Sequence, residues 1–182
     1  MKLMIASDIH GSAYWCEKLL EAWRGEGMPR MLLLGDLLYY GPRNDLPKDY
    51  APQRVIELLN GIREHLLCVR GNCEAEVDQM VLTFPVMADY CALPLGEHLI
   101  YATHGHVHGE TNPPPLMDGD VLICGHTHVP TFNRHDGFTY VNPGSTSIPK
   151  NGSAHGYMML EDGVFSWKDL ESGAIYRQEN IF

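Results

Sequence analysis

Five short polar motifs occur in order along the chain, and each directly follows an apolar run. The motifs are Asp8-Ile9-His10, Gly35-Asp36, Gly71-Asn72-Cys73-Glu74, His104-Gly105-His106 and Gly125-His126-Thr127-His128. Their carboxylate, imidazole and amide groups suit borderline or harder divalent cations, and a thiolate is not needed to complete the set. The motifs therefore indicate a metal site.

The number of donors indicates more than one ion. Seven side chains are candidate ligands: Asp8, His10, Asp36, Asn72, His104, His126 and His128. A single tetrahedral ion cannot use all of them, whereas two ions about 3.5–4 Å apart that share a carboxylate can. Such a pair is suited to in-line displacement at phosphorus.

The elements that must position these motifs alternate in the first half of the chain. Apolar runs at 2–6, 31–34 and 66–69 predict strands, and helical periodicity predicts helices over 12–23 and 53–62. This alternation favours parallel strands joined through helices. Because open α/β sheets bind ligands at strand ends, we expect the motifs to converge in one crevice.

The second half carries turn signals at 94–96, 136–137, 162–163 and 172–173. This spacing predicts consecutive β-hairpins and a mostly antiparallel sheet. Together the halves predict an α/β fold, a four-layer α/β/β/α sandwich of two packed mixed sheets flanked by helices. We expect a single domain over residues 1–182.

Composition limits the location and the partners. No apolar run approaches the roughly 20 residues of a membrane helix, and Asp8 comes too early for a signal peptide, so we expect a cytoplasmic protein without membrane contact. The five cysteines form no CxxC pair. A net charge of −10 argues against an extensive nucleic-acid surface. The sequence is compatible with a homo-oligomer but indicates no interface.

The ordered motifs resemble those of the calcineurin-like metallophosphoesterase superfamily, from Asp8 to His128. The segments Gly41-Pro42-Arg43-Asn44 and Asn142-Pro143-Gly144-Ser145 extend the resemblance to its compact bacterial phosphodiesterases. The resemblance implies one metal on Asp8, His10 and His128, a second on Asn72, His104 and His126, and Asp36 as the bridge.

The resemblance also implies an activity, the hydrolysis of small-molecule phosphodiesters by in-line attack of a hydroxide held between two divalent ions. Mn²⁺ is the favoured metal, with Zn²⁺, Fe²⁺ and Ni²⁺ as alternatives. The expected catalytic residues are Asp36, Asn72, Cys73 and His104. Arg43 is a candidate phosphate clamp, and His106 a candidate substrate contact.

Cys73 departs from the family pattern, since many members carry histidine after Gly-Asn. Protonation of the leaving group is therefore open: His106 or another group supplies the proton, or the leaving group departs readily. Two other functions stay as alternatives. One is a catalytically weak scaffold that binds proteins, and the other is a phosphomonoesterase.

Overall fold

The structure is a computed structural model that describes residues 1–181. The first half contains β1 (Lys2–Ala6), α1 (Ala13–Gly25), β2 (Arg30–Leu33), α2 (Pro52–Asn60), a 3₁₀ turn (Arg63–His65), β3 (Leu66–Cys68) and α3 (Glu76–Val81). The second half contains β4 (Cys91–Leu95), β5 (His98–Ala102), β6 (Asp120–Ile123), β7 (Thr131–Arg134), β8 (Phe138–Asn142), β9 (Gly156–Glu161), β10 (Val164–Asp169) and β11 (Ile175–Asn180).

Local chemistry explains where the first two helices begin. The Ser12 hydroxyl caps α1 by accepting from the backbone N–H of Trp15. The apolar stripe of α1 then buries Trp15, Leu19 and Trp23 against the first sheet. Pro52 stands in the first turn of α2, where its missing N–H breaks no helical bond.

The strands form two mixed sheets. The first has the order β11-β10-β9-β1-β2-β3, and β1, β2 and β3 are parallel as predicted. The second has the order β4-β5-β6-β8-β7. The four predicted hairpin turns are confirmed, since they join β4 to β5, β7 to β8, β9 to β10 and β10 to β11.

The expectation of consecutive hairpins was wrong at the centre of the second sheet. There β5 pairs with β6, and β6 with β8, in parallel. Parallel neighbours need a long return of the chain, which the segment 103–119 provides between β5 and β6. As a result β5 and β6 both end at the same edge, and each is followed by a histidine motif.

The core has three parts that account for the layers. Side chains such as Ile5, Leu32, Ile123 and Trp167 fill the space between the sheets, and α1 and α2 cover the outer face of the first sheet. The α/β sandwich of two packed mixed sheets is confirmed, with its few helices against the first sheet. On the outer face of the second sheet, Leu116 packs from the segment 103–119, whose residues are all described and include no helix.

Among residues 1–181, no helix is long and apolar enough to cross a membrane.

Candidate metal centre

All seven predicted ligands lie together where strands of both sheets end. Asp8 and His10 follow β1, Asp36 follows β2, and Asn72 follows β3. His104 follows β5, and His126 and His128 follow β6. The centre therefore depends on the packing of the two sheets against each other.

The first group of donors surrounds Asp8. Its Oδ1 lies 3.2 Å from His128 Nε2 and 3.5 Å from His10 Nε2, and the two histidine nitrogens are 3.3 Å apart. Asp8 Oδ1 is buried without a hydrogen-bond partner. A buried carboxylate oxygen without a donor is costly, and a cation between these three side chains would satisfy it.

The second group surrounds His104. Its Nε2 lies 3.0 Å from Asn72 Oδ1 and 3.2 Å from His126 Nδ1. Asp36 stands between the groups, since its Oδ2 is 3.5 Å from His104 Nε2 and 3.9 Å from His10 Nε2. The carboxylate of Asp36 is thus placed to reach both groups.

The backbone fixes the orientation of three histidine rings. Each Nδ1 faces a carbonyl oxygen: His10 with Tyr39 (2.7 Å), His104 with Leu34 (2.6 Å) and His128 with Ile148 (2.6 Å). Because a carbonyl only accepts, Nδ1 carries the proton and Nε2 points into the site, the arrangement typical of metal-binding histidines. The donor chemistry therefore fits divalent cations.

The backbone at these ligands has an unusual conformation. Five of the seven have left-handed φ angles: Asp8 (58°), His10 (50°), Asp36 (56°), His126 (65°) and His128 (62°). Such residues cost about 1–3 kcal/mol each and persist where the surroundings impose them. Buried hydrogen bonds supply that constraint here.

Glu74 supplies part of this constraint on the backbone of the ligand residues. Its carboxylate is buried and accepts from the N–H groups of Asp36 (2.9 Å), Leu37 (2.7 Å) and Gly71 (2.5 Å). The sequence motif contained Glu74, but sequence reasoning gave it no role. Burial raises the pKa of Glu74, and the neighbouring Asp36 charge raises it further.

The Asn142-Pro143-Gly144-Ser145 segment supports the site from behind. The hydroxyls of Ser145 and Ser147 donate to the carbonyl of Asp8 at 2.9 and 3.0 Å, and Asn142 Nδ2 donates to the carbonyl of Gly125 at 2.7 Å. All three side chains are buried. The segment holds the ligand loops in place and does not line the cavity in front of them.

In the first group of donors, Asp8 and His10 shift each other's pKa values. Burial by itself raises the pKa of Asp8, but the contacts with His10 and His128 hold that pKa well below its usual range. Burial lowers the pKa of His10, whereas the Asp8 carboxylate raises it, and the net shift is upward. A metal bound here would compete with the proton that the His10 ring gains from its contact with Asp8.

A cavity of about 420 Å³ opens in front of the ligands. Asn72, Cys73 and Arg43 line it, as does Lys150. Arg43 is exposed at the cavity wall, and its role as a phosphate clamp stays a prediction. Lys150 was missed, because a single lysine in a segment of turn residues carries no sequence signal.

Cys73 and His106 lie on different sides of the centre. Cys73 is half-buried, its Sγ can join a ligand group with His10 and Asp36, and burial together with Asp36 raises its thiol pKa. The His106 ring lies 5.4 Å from that of His104, but it lines a neighbouring cavity.

Comparison with known proteins identifies the family. The calcineurin-like phosphoesterase superfamily domain matches residues 1–162. The chain therefore belongs to this superfamily, which confirms the resemblance and the enzyme class that the motifs indicated.

Similar proteins cover the whole chain. Phosphodiesterase YfcE of Escherichia coli K12 is 45% identical over 181 residues, which are 100% of this chain and 98% of that protein. A solved structure of E. coli YfcE, described as a phosphoesterase, has a TM-score of 0.96 at 44% identity and covers 100% of both chains. Zn²⁺-bound Vps29 of Entamoeba histolytica has a TM-score of 0.65 at 17% identity over 100% of both chains, and it shares the fold alone.

Proposed function

We propose that this chain hydrolyses small-molecule phosphodiesters with two divalent ions. The observation that carries the proposal is the pair of donor groups with the Asp36 carboxylate between them. The phosphodiesterase names of YfcE and of the 24% identical MJ0936 from Methanocaldococcus jannaschii support the diester class.

The chain would hold each ion with three side chains and share Asp36 between them. The first set is Asp8, His10 and His128, and the second is Asn72, His104 and His126. When bound, the ions would polarise the phosphoryl oxygens and acidify the attacking water. Mn²⁺ is our choice for this mixed nitrogen and oxygen set, and Zn²⁺, Fe²⁺ and Ni²⁺ suit the same donors.

The cationic side chains of the cavity would attract and orient the ester. Arg43 and Lys150 make no side-chain hydrogen bond or ion pair with any described residue, so their charges are available to an anion. Two such charges at one cavity matter in a chain with a net charge of −10.

Cys73 would face the leaving group, because it lines the cavity. Burial and the Asp36 carboxylate raise the pKa of this thiol in the metal-free protein, and a protonated thiol can donate a weak hydrogen bond. A weak donor suits esters whose leaving group departs readily. His106 is less well placed for this role, since it lines the neighbouring cavity.

The test compares bis(p-nitrophenyl) phosphate with p-nitrophenyl phosphate, using metal-stripped protein to which Mn²⁺, Zn²⁺, Ni²⁺ or Mg²⁺ is restored separately. We expect faster diester turnover, and a loss of about 10³-fold in kcat/KM for Asp36→Asn. Asp162→Asn, on the exposed β9–β10 turn, is the matched control and should retain wild-type activity. Faster monoester turnover would indicate a phosphomonoesterase, and no turnover with any ion would favour the scaffold.

A further inference from the structure

The cavity in front of the metal ligands, which we call the main cavity, has four of the seven candidate ligands in its lining: Asp36, Asn72, His126 and His128. A substrate whose phosphorus lies at these ligands therefore extends into this space. The cavity volume of about 420 Å³ falls in the range of sites for small ligands, about 300–1,000 Å³. The main cavity thus leaves room for an alcohol substituent beside the ester phosphate.

Lys150 belongs to this lining and stands on a segment that is tied to a ligand loop. Its backbone N–H donates to the carbonyl of His128 at 3.1 Å, and the His128 ring faces the carbonyl of Ile148. The carbonyl of Lys150 accepts from the Ser153 hydroxyl at 2.7 Å. The backbone of Lys150 is therefore fixed beside a candidate metal ligand, while its side chain is exposed and makes no hydrogen bond or ion pair with a described residue.

Arg43 enters the main cavity from a different loop. A Cβ on Gly41 would lie 3.5 Å from Cys73 Sγ, so the loop that carries Arg43 borders Cys73. Lys150 instead borders His128. One cation thus stands beside the residue where we place the leaving group, and the other stands beside a candidate metal ligand. Different parts of one substrate can therefore meet the two charges.

The charges at the centre leave part of this positive charge without a counter-charge. Two divalent ions would be balanced by the carboxylates of Asp8 and Asp36, an attacking hydroxide and the single charge of a phosphodiester. Glu74, whose carboxylate accepts from the Asp36 N–H, adds at most one further negative charge. Arg43 and Lys150 bring two positive charges to the cavity. At least one cation therefore remains for a group beyond the ester phosphate.

We propose that the preferred substrate is a phosphodiester whose retained alcohol carries a second phosphate group, and that Lys150 binds this second phosphate. Lys150 is then the specificity-determining residue. This inference rests on the proposed function, because it places the ester phosphorus at the metal ligands. A lysine ammonium binds phosphate as a point charge, so it needs no rigid pocket around the group. Arg43 remains with the ester phosphate, and the leaving group with Cys73.

The kinetic test uses two esters that differ only in the second phosphate. They are the p-nitrophenyl ester of thymidine 5′-phosphate and the same ester with an added 3′-phosphate. For the wild type, KM should be about fivefold lower for the 3′-phosphorylated ester, which is the upper range for an exposed ion pair. Lys150→Met should abolish the difference between the two KM values, whereas Lys150→Arg should keep it.

The matched control is Lys18→Met, which removes an exposed lysine from α1 and should keep the difference in KM. High salt should reduce the difference in the wild type, because the ammonium of Lys150 is exposed to solvent. A wild type that does not distinguish the two esters, or a difference that survives in Lys150→Met, would overturn the proposal.

A binding measurement separates this proposal from the proposed function, since it needs no turnover. In calorimetry with Mn²⁺ present, thymidine 3′,5′-bisphosphate should bind about fivefold tighter than thymidine 5′-phosphate, and Lys150→Met should remove this preference. Equal affinities, or no binding by the wild type, would overturn the role of Lys150. A preference that the variant loses, in a protein that hydrolyses no diester, would support the second phosphate site and count against the proposed function alone. Diester hydrolysis without the preference would count against this inference alone.

Discussion

The floor of the main cavity and its wall are built in different ways. On the floor, Asp8, Asp36 and His104 are buried, and their loops are held by several buried hydrogen bonds. On the wall, Arg43 and Lys150 project from exposed loops and form no hydrogen bond or ion pair with a side chain among the described residues. The difference supports our proposal that the core would fix where ions bind and that the loops would decide which ester is accepted.

A substitution at Gly71 should disturb the floor of the main cavity more than any other change considered below. A Cβ at this position would overlap Asp36 Oδ1 and lie 2.6 Å from Glu74 Oε2. Gly71→Ala should therefore displace both carboxylates and lower Mn²⁺ affinity about 100-fold, the upper range for supporting residues of metal sites. Gly25→Ala, where a Cβ meets nothing within 4 Å, is the control, and Mn²⁺ titration is the measurement. Equal affinity in both variants would show that the floor is adaptable.

Glu74 tests whether hydrogen bonds maintain the floor. An amide in Glu74→Gln would turn an NH₂ group toward one of the three backbone N–H groups, leaving a buried donor unsatisfied at about 1–3 kcal/mol. We expect a lower melting temperature of the metal-free protein and about tenfold weaker Mn²⁺ binding. Glu76→Gln, on the exposed side of α3, should change neither quantity. An unchanged melting temperature would contradict the constraint that we assign to Glu74.

Cys73 lies at the border between the floor and the wall. Because the protonated thiol is a weak donor, Cys73→Ala should reduce kcat for bis(p-nitrophenyl) phosphate by at most about tenfold, below the usual 10²–10⁴ range for general acids. The loss should grow for diesters with less acidic alcohols. A loss that is independent of the leaving group would contradict proton donation by Cys73.

A substitution at Arg43 tests whether the wall of the main cavity binds the ester, and it should have the smallest effect on the kinetics. Arg43→Met should raise KM for the diester about threefold and leave kcat unchanged, because an exposed cation contributes at most about 1 kcal/mol. The effect should diminish in high salt. Arg24→Met, which removes an exposed arginine from α1, is the control. A fall in kcat with unchanged KM would move Arg43 from substrate binding to the reaction itself.

The same contrast explains how far the sequence could be interpreted. The convergence of the seven candidate ligands could be predicted because their types, order and positions after apolar runs are local features. The parallel pairing of β5 with β6 could not, since hairpin signals describe turns and say nothing about distant strands. Glu74 and Lys150 likewise needed coordinates, because their roles depend on which backbone groups and loops come near them.

The central claim is that the chain binds two divalent ions and needs both to hydrolyse a phosphodiester. Equilibrium dialysis of metal-stripped protein against Mn²⁺, with bis(p-nitrophenyl) phosphate turnover measured at each concentration, tests it most directly. We predict two ions per chain and turnover that rises with occupancy of the second. Binding of a single ion at full activity, or hydrolysis that persists in metal-stripped protein, would contradict the claim.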